Sequence, residues 1–392
     1  MMSFRALAFL FVCIPKLPAA RALHSSVTSN ISLTTRKFGE KRGQTYKASI
    51  PSLKKYYSNQ VCAMQSTSSV DAIGARIVSS LVFDNRNLRD LPVDKETRNF
   101  PRQVQNAISS RCQPTPVKTP DLIACSVDAL NLLGVNVADS QEAATPASLS
   151  DEAKKLLEEY FSGNKIFPGS DTSAHVYCGH QFGNFAGQLG DGAAISLGEI
   201  LSGEQRWELQ LKGAGLTPFS RTADGRKVLR SSVREFLCSE AMHYLHIPTT
   251  RAATLVTSTS TVQRDPFYDG GVLDEKCTVV SRVASNFFRF GSFEIFKGDG
   301  SRKGPSAGNA ALKKQLLDHI ITYYPSIDKS DMSETEKYAA FYSEIVRRTA
   351  ELAARFVNQK RFLSHSDYIL KYTVVYAPSS PHTLLQHHQI ML

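Results

Sequence analysis

Hydrophobic and polar positions change their period along this chain, and the changes mark out its elements. Between 193 and 212 the period is two. Residues 193–200 alternate, Ser202-Gly203-Glu204 turns the chain, and Trp207, Leu209 and Leu211 then alternate with Glu208, Gln210 and Lys212. This predicts a β-hairpin whose second strand turns its apolar trio to a core and Lys212 to the opposite, glycine-rich side. Helical spacing follows over 232–245, with Val233, Phe236, Leu237, Ala241, Tyr244 and Leu245 as the apolar stripe and Ser231 or Ser232 as its cap. Two β-rich runs, 249–258 and 277–284, flank a loop containing Asp265-Pro266-Phe267. From 305 the period becomes helical again, first through Leu312, Leu316, Leu317, Ile320, Ile321 and Tyr324. A longer helix then opens on a capping box, Ser333-x-x-Glu336, and runs to about 358. Nearer the N-terminus, short helices are expected over 120–133 and 150–161, the second capped by Ser150.

Composition narrows the functional classes. Of 392 residues, 42% are hydrophobic, enough to bury a sizeable core. The net charge of +10 would suggest a nucleic-acid partner if it were spread over the chain. It is not spread. Residues 1–60 hold ten Lys and Arg against a single acid, Glu40, and the 36 basic and 35 acidic groups of the remainder nearly cancel. The body therefore lacks the electrostatic footprint of a nucleic-acid binder. Seven scattered cysteines with no CxxC argue against a disulfide scaffold or zinc ribbon. No run reaches the 18 or more apolar residues of a membrane span. The basic, acid-poor residues 1–60 read as a disordered organelle-targeting leader, mitochondrial in the first instance. The apolar run 6–14 keeps a plastid route as the alternative.

The candidate chemistry lies in 178–225, where ten of the chain's 23 glycines fall. Glycines gather where backbone turns with positive φ or approaches a neighbour closely. Gly190-x-Gly192 precedes the first hairpin strand, Lys212 sits on the second, and Glu235 follows on the helix. A glycine turn, a strand lysine and a helix glutamate are the parts of a kinase-like phosphate site, in which backbone N–H groups cradle phosphates, the lysine neutralises them and the glutamate holds the lysine. Each part alone is ordinary: a turn, a surface lysine, a solvated helix acid. Glu240 is the alternative partner for Lys212. His175, Cys178 and His180 lack a second cluster to complete four metal ligands, so a structural role is expected of them.

The segments "YCGHQFGNFAGQLGDG", "LQLKGAGLTPFSRTADGRKVLRSSVREFLCSEAMHYLHIPTTRA" and "SRVASNFFRFGSFEIF" closely resemble the selenoprotein O (SelO/YdiU) family, over roughly residues 81–354. The resemblance implies an α+β, protein-kinase-like two-lobed fold. Its small mixed lobe would occupy 81–300 and its helical lobe would begin over 301–358, followed by a divergent, disordered tail at 359–392. It implies ATP bound with Mg2+ or Mn2+, and transfer of AMP to Ser, Thr or Tyr hydroxyls of partner proteins. Carried over by motif, the nucleotide contacts would be Gly190, Gly192, Lys212, Asp224, Gly225, Arg282 and Arg289, with Glu235 positioning the lysine. The sequence departs from the pattern twice. Ala193 stands where the family usually has Arg. The catalytic loop "HGVMNTDN" and the later "DYG" are absent, the text after about Arg355 being unlike the family's. His365-Ser366-Asp367 only echoes that loop. No catalytic or metal-ligating residue is therefore assigned, the helical lobe is expected to be cut short, and transfer is expected to be impaired. The competing reading is a non-catalytic nucleotide-binding pseudoenzyme or a truncated gene product.

Overall fold

The computed structural model describes residues 81–137, 146–181, 184–323 and 331–362. The expected leader and tail, with His365 and Asp367, lie outside them. The described residues form an α+β structure around a nine-stranded sheet, in the order β2 (Ser109–Arg111), β4 (Ser173–His175), β7 (Ala194–Ser202), β8 (Gln205–Lys212), β11 (Leu273–Ala284), β10 (Arg251–Arg264) and β3 (Asp121–Cys125). Two short strands complete it: β1 (Val82–Phe83) pairs with β7, and β9 (Lys227–Val228) pairs with β11. Strands β5 (Cys178–Gln181) and β6 (Asn184–Gln188) form a separate hairpin.

The hairpin expected over 193–212 is present as β7 and β8, turning at 203–204 and pairing Ala194 with Lys212. Its apolar side, including Leu209 and Leu211, joins the main core with Val279 and Val283 of β11. The other side is not solvated. Glu208 and Gln210 are buried there, because α4 (Leu229–Tyr244) and the segment 286–289 cover it.

Helix α4 departs from the sequence reading in two ways. It begins at Leu229 with Val228 at the N-cap and no side-chain cap, because β9 runs directly into it. Ser231 instead bonds the Val228 carbonyl at 2.8 Å, and Ser232 meets Thr278 at 2.6 Å inside the fold. The buried face is also polar: Ser232, Phe236 and Glu240 are buried, whereas Leu237 and Tyr244 are 61% and 62% exposed. Hydrophobic periodicity misjudged this face because α4 is held to the sheet by polar pairs as well as by Phe236 packed with Leu255 and Val280.

The helix expected over 120–133 is instead strand β3 followed by a short helix, α2 (Val127–Leu132), capped by Ser126. Pairing with β10 supplies partners to residues 121–125 that a helix would have satisfied locally. The helix expected over 150–161 forms as α3 (Asp151–Phe161), with Ser150 accepting from the Ala153 N–H. The two β-rich runs are longer than expected, becoming β10 and β11. Beyond the short α1 (Arg86–Asp90) and α5 (Phe290–Glu294), the chain ends its described part in α6 (Ala310–Tyr323) and α7 (Glu334–Phe362). Leu312, Leu316 and Ile320 of α6 and Phe341 of α7 join the same core as the sheet, and Tyr324 lies outside the described residues. Ser333 and Glu336 form the expected capping box, each bonding the other's backbone N–H at 2.8 and 3.4 Å.

Candidate nucleotide-binding site

Antiparallel pairing sets the site's face. Arg282 on β11 lies opposite Gln210 on β8, and Val280 lies opposite Lys212. Residues two apart share a face, so Gln210, Lys212 and Arg282 project to one side, the side α4 covers. Glu235 comes down from α4 between the two cations. Its carboxylate lies 2.9 Å from Lys212 Nζ and 3.5 Å from Arg282. Arg282 also donates to the Gln210 side-chain oxygen. Glu240 does not meet Lys212. It accepts from Arg251 Nε and Nη2 at 2.9 and 2.7 Å, from Ser126 and from the Ala252 N–H, and fastens α4 to β10.

From Gln210 the network runs on to the glycine turn. Gln210 donates to the Asp191 carboxylate at 3.1 Å, and the other Asp191 oxygen accepts from Arg289 at 3.1 Å. Lys212, Arg282 and Arg289 thus belong to one connected cluster, with unequal access to solvent: their side chains are 26%, 14% and 3% exposed. Arg289 is committed to the interior. It donates to the Phe287 carbonyl at 2.8 Å and sits 4.5 Å from the Tyr177 ring centre. Lys212 is the open cation.

The glycine turn at 190–192 enters β7 directly beside Lys212, and the Ala193 carbonyl accepts from Gly213 N–H at 2.7 Å. Gly190 has φ +64°, and a Cβ there would overlap the Phe219 ring. A Cβ on Gly192 would stand 2.7 Å from the Phe219 carbonyl oxygen. These glycines let the turn pack against residues 217–220, where Thr217 bonds the Asp191 carbonyl at 2.8 Å and Ser220 that of Gly192 at 2.6 Å. Asp224 and Gly225 lie just past the end of β8. The Gly225 carbonyl accepts from Gly215 N–H at 3.4 Å, and Asp224 is bound by Arg264 at 2.7 Å and by the Arg226 N–H at 2.9 Å.

Charge states follow from these contacts. Burial pushes the Lys212 ammonium down to about 8, against the pull of Glu235 and with help from Arg282 and Lys227. Burial would raise Glu235, but Lys212 and Arg282 outweigh it and hold the carboxyl below its ordinary range. Asp224 is likewise held low, Arg264 and the Arg226 N–H overcoming partial burial. At neutral pH the Lys212 ammonium is therefore still mostly protonated beside an ionised Glu235.

His175, Cys178 and His180 do not converge. His175 is buried with Nε2 3.2 Å from Glu208, while His180 faces Glu294 at 3.5 Å. Among the described residues no three His, Cys, Asp or Glu side chains come together as metal ligands. Glu235 and Asp191 are engaged by the cluster's own cations, and Asp224 is engaged by Arg264. The described residues thus do not fit a protein-held Mg2+ or Mn2+ ion. Sequence reasoning missed Gln210, Asp191 and Phe219. Gln210 was detectable, since it shares the period-two face of Lys212; Asp191 and Phe219 gave no local signal.

Comparison with known proteins supplies the remaining evidence. The profile of the family described as "Protein adenylyltransferase SelO" matches residues 107–360. Human "Protein adenylyltransferase SelO, mitochondrial" is 53% identical over 293 residues, covering 72% of this chain and 42% of that protein. The zebrafish "Protein adenylyltransferase SelO-1, mitochondrial" is 51% identical over 292 residues, 70% of this chain and 41% of its own length. "Protein nucleotidyltransferase YdiU" of Nitrosospira multiformis is 49% identical over 277 residues, 70% of this chain and 45% of its own. The chain spans less than half the length of these relatives.

Proposed function

We propose a function for a chain that belongs to the SelO family of protein adenylyltransferases: it binds ATP on the Lys212 face and serves the transfer of AMP to Ser, Thr or Tyr hydroxyls of other proteins. The observation that carries this reading is the contact of Lys212 and Arg282 with one carboxylate, Glu235, beside the turn at 190–193. That arrangement supports a kinase-like small lobe, with α4 in the place of the helix that holds the phosphate-binding lysine.

In adenylyl transfer the acceptor oxygen attacks the α-phosphorus, the hydroxyl proton passes to a base, and pyrophosphate departs with the electron pair of the broken P–O bond. Charge develops on the phosphate oxygens, and prepositioned cations stabilise it best in a site that excludes water. On this reading Lys212 and Arg282 supply that charge; the guanidinium can fork onto two oxygens, whereas the ammonium acts as a point charge. Arg289 and Asp191 brace the turn from the interior. The names of the human, mouse and zebrafish relatives carry the word mitochondrial, which with the basic residues 1–60 supports a mitochondrial site of action.

A second reading, nucleotide binding without transfer, is favoured by one observation: Glu235, Asp191 and Asp224 are each held by a cation. Incubation with ATP labelled at the α- or γ-phosphate separates the readings. Protein acceptors carrying α-label support transfer. Thermal stabilisation by ATP with no label on protein supports binding alone. Transfer of γ-label, or no response to ATP at all, would refute the adenylyl-site reading.

A further inference from the structure

We propose that Lys227 is a further phosphate-binding cation of this site, taking its counterion from the anionic tail of the bound nucleotide. The proposal rests on the nucleotide reading given above and deepens it.

The sheet register brings Lys227 there from outside the hairpin. Strand β8 ends at Lys212, opposite Val280 of β11, and the same edge of β11 is then taken up by β9, where Lys227 lies opposite Thr278. Val280 and Thr278 are two residues apart, so Lys212 and Lys227 share one face of the sheet, roughly 7 Å apart along the strand direction. Gly213, next to Lys212, touches this neighbour: a Cβ built on it would stand 2.9 Å from the Cβ of Lys227. Arg282 shares the same face of β11, and α4 covers it, with Ser232 meeting Thr278 and Glu235 meeting Lys212.

The charges on this face do not balance. Lys212 and Arg282 are both satisfied by Glu235, and Arg282 additionally by Gln210. Among the described residues no hydrogen bond or ion pair of the Lys227 ammonium is found, although its charge is felt by both Lys212 and Glu235. Three cations therefore act on one carboxylate on this face, two by contact and Lys227 through its charge. Such a surplus repels itself until an anion enters, and a polyphosphate offers several oxygens at the spacing of the two lysines. No motif pointed to Lys227, since it lies after the glycine loop on a two-residue strand that only sheet pairing defines.

The test titrates the full chain, Lys227→Gln, Lys227→Arg and Lys212→Met with ATP, pyrophosphate and adenosine across a salt series, with thermal unfolding of each variant in parallel. Lys227→Gln should unfold as the parent does, bind ATP about tenfold more weakly, show a shallower salt dependence and bind adenosine unchanged. Lys227→Arg should retain most of the ATP affinity. If Lys212→Met loses ATP binding while Lys227→Gln does not, the proposal falls and the nucleotide reading stands. Equal loss of ATP and adenosine would show a structural role and overturn it. Loss confined to pyrophosphate would mark a free-anion site and overturn it as stated. Failure of the unaltered chain to bind ATP would remove both the proposal and the reading beneath it.

Discussion

Asp191 stands between two glycines in the chain, yet its carboxylate meets Arg289, 98 residues later, at 3.1 Å, with both side chains almost wholly buried. The pair ties the glycine turn to the segment that follows β11. Removing one member leaves the other charge buried and uncompensated, which typically costs about 3–5 kcal/mol. Asp191→Asn should therefore lower the stability measured by urea unfolding by about that amount. The double variant Asp191→Asn/Arg289→Met should recover part of the loss. A single-variant cost below about 1 kcal/mol would mean that the pair is not closed in solution.

Lys212 gives the site a pH dependence of definite sign. The free ammonium loses its proton near pH 8, and a bound polyphosphate would hold that proton on. ATP affinity should therefore be full below pH 8 and fall as pH rises through it, by at most about tenfold per unit. Lys212→Arg should flatten the profile, because a guanidinium stays charged throughout. An affinity that rises between pH 7 and 9 would contradict the assignment. The same group acts on stability in the opposite sense. Its depressed value is a cost of burying the charge, present below pH 8 and relieved as pH climbs towards the unfolded lysine's range.

Glu235 and Glu240 lie on the same helix and should separate in their effects. Glu240 fastens α4 to Arg251, Ser126 and the Ala252 N–H. Glu240→Gln should cost about 2–4 kcal/mol in unfolding experiments while ATP affinity at a temperature where the fold persists stays near the parent's. Glu235→Gln should do the reverse, altering ATP affinity and its pH profile with a loss of about 1 kcal/mol or less, since its side chain is a quarter exposed. Calorimetry and nucleotide titration on both variants make the comparison.

Gly190 and Phe219 occupy the same space. Any side chain at 190 must adopt φ +64° and collide with the ring, so Gly190→Ala should lose about 2–4 kcal/mol from backbone strain and overpacking together. Gly203→Ala also has positive φ but meets nothing within 4 Å, and should cost only about 1 kcal/mol. Equal losses at the two positions would show that packing on Phe219 is not what 190 requires.

Local patterns were sufficient where one element met one environment. The β7–β8 hairpin, the Ser150 and Ser333 caps and the apolar stripe of α6 are present where their spacing placed them. Patterns failed where a partner distant in sequence set the outcome. Residues 121–125 read as helix until β10 supplied their hydrogen bonds. The face of α4 was misjudged because Ser232, Glu235 and Glu240 each found a polar partner on another strand.

By itself, the sequence determined what is encoded by neighbours: alternation, caps, turns, and the family to which long stretches of text assign the chain. Those properties depend on contacts within a few residues, so they survive without knowledge of the fold. Tertiary structure alone decided which glutamate meets Lys212, why Gly190 faces Phe219, and that Lys227 arrives beside the site on a separate strand. Each of these is a matter of strand register and long-range charge, and a pairing between residues tens of positions apart leaves no period in the chain for a local reading to find.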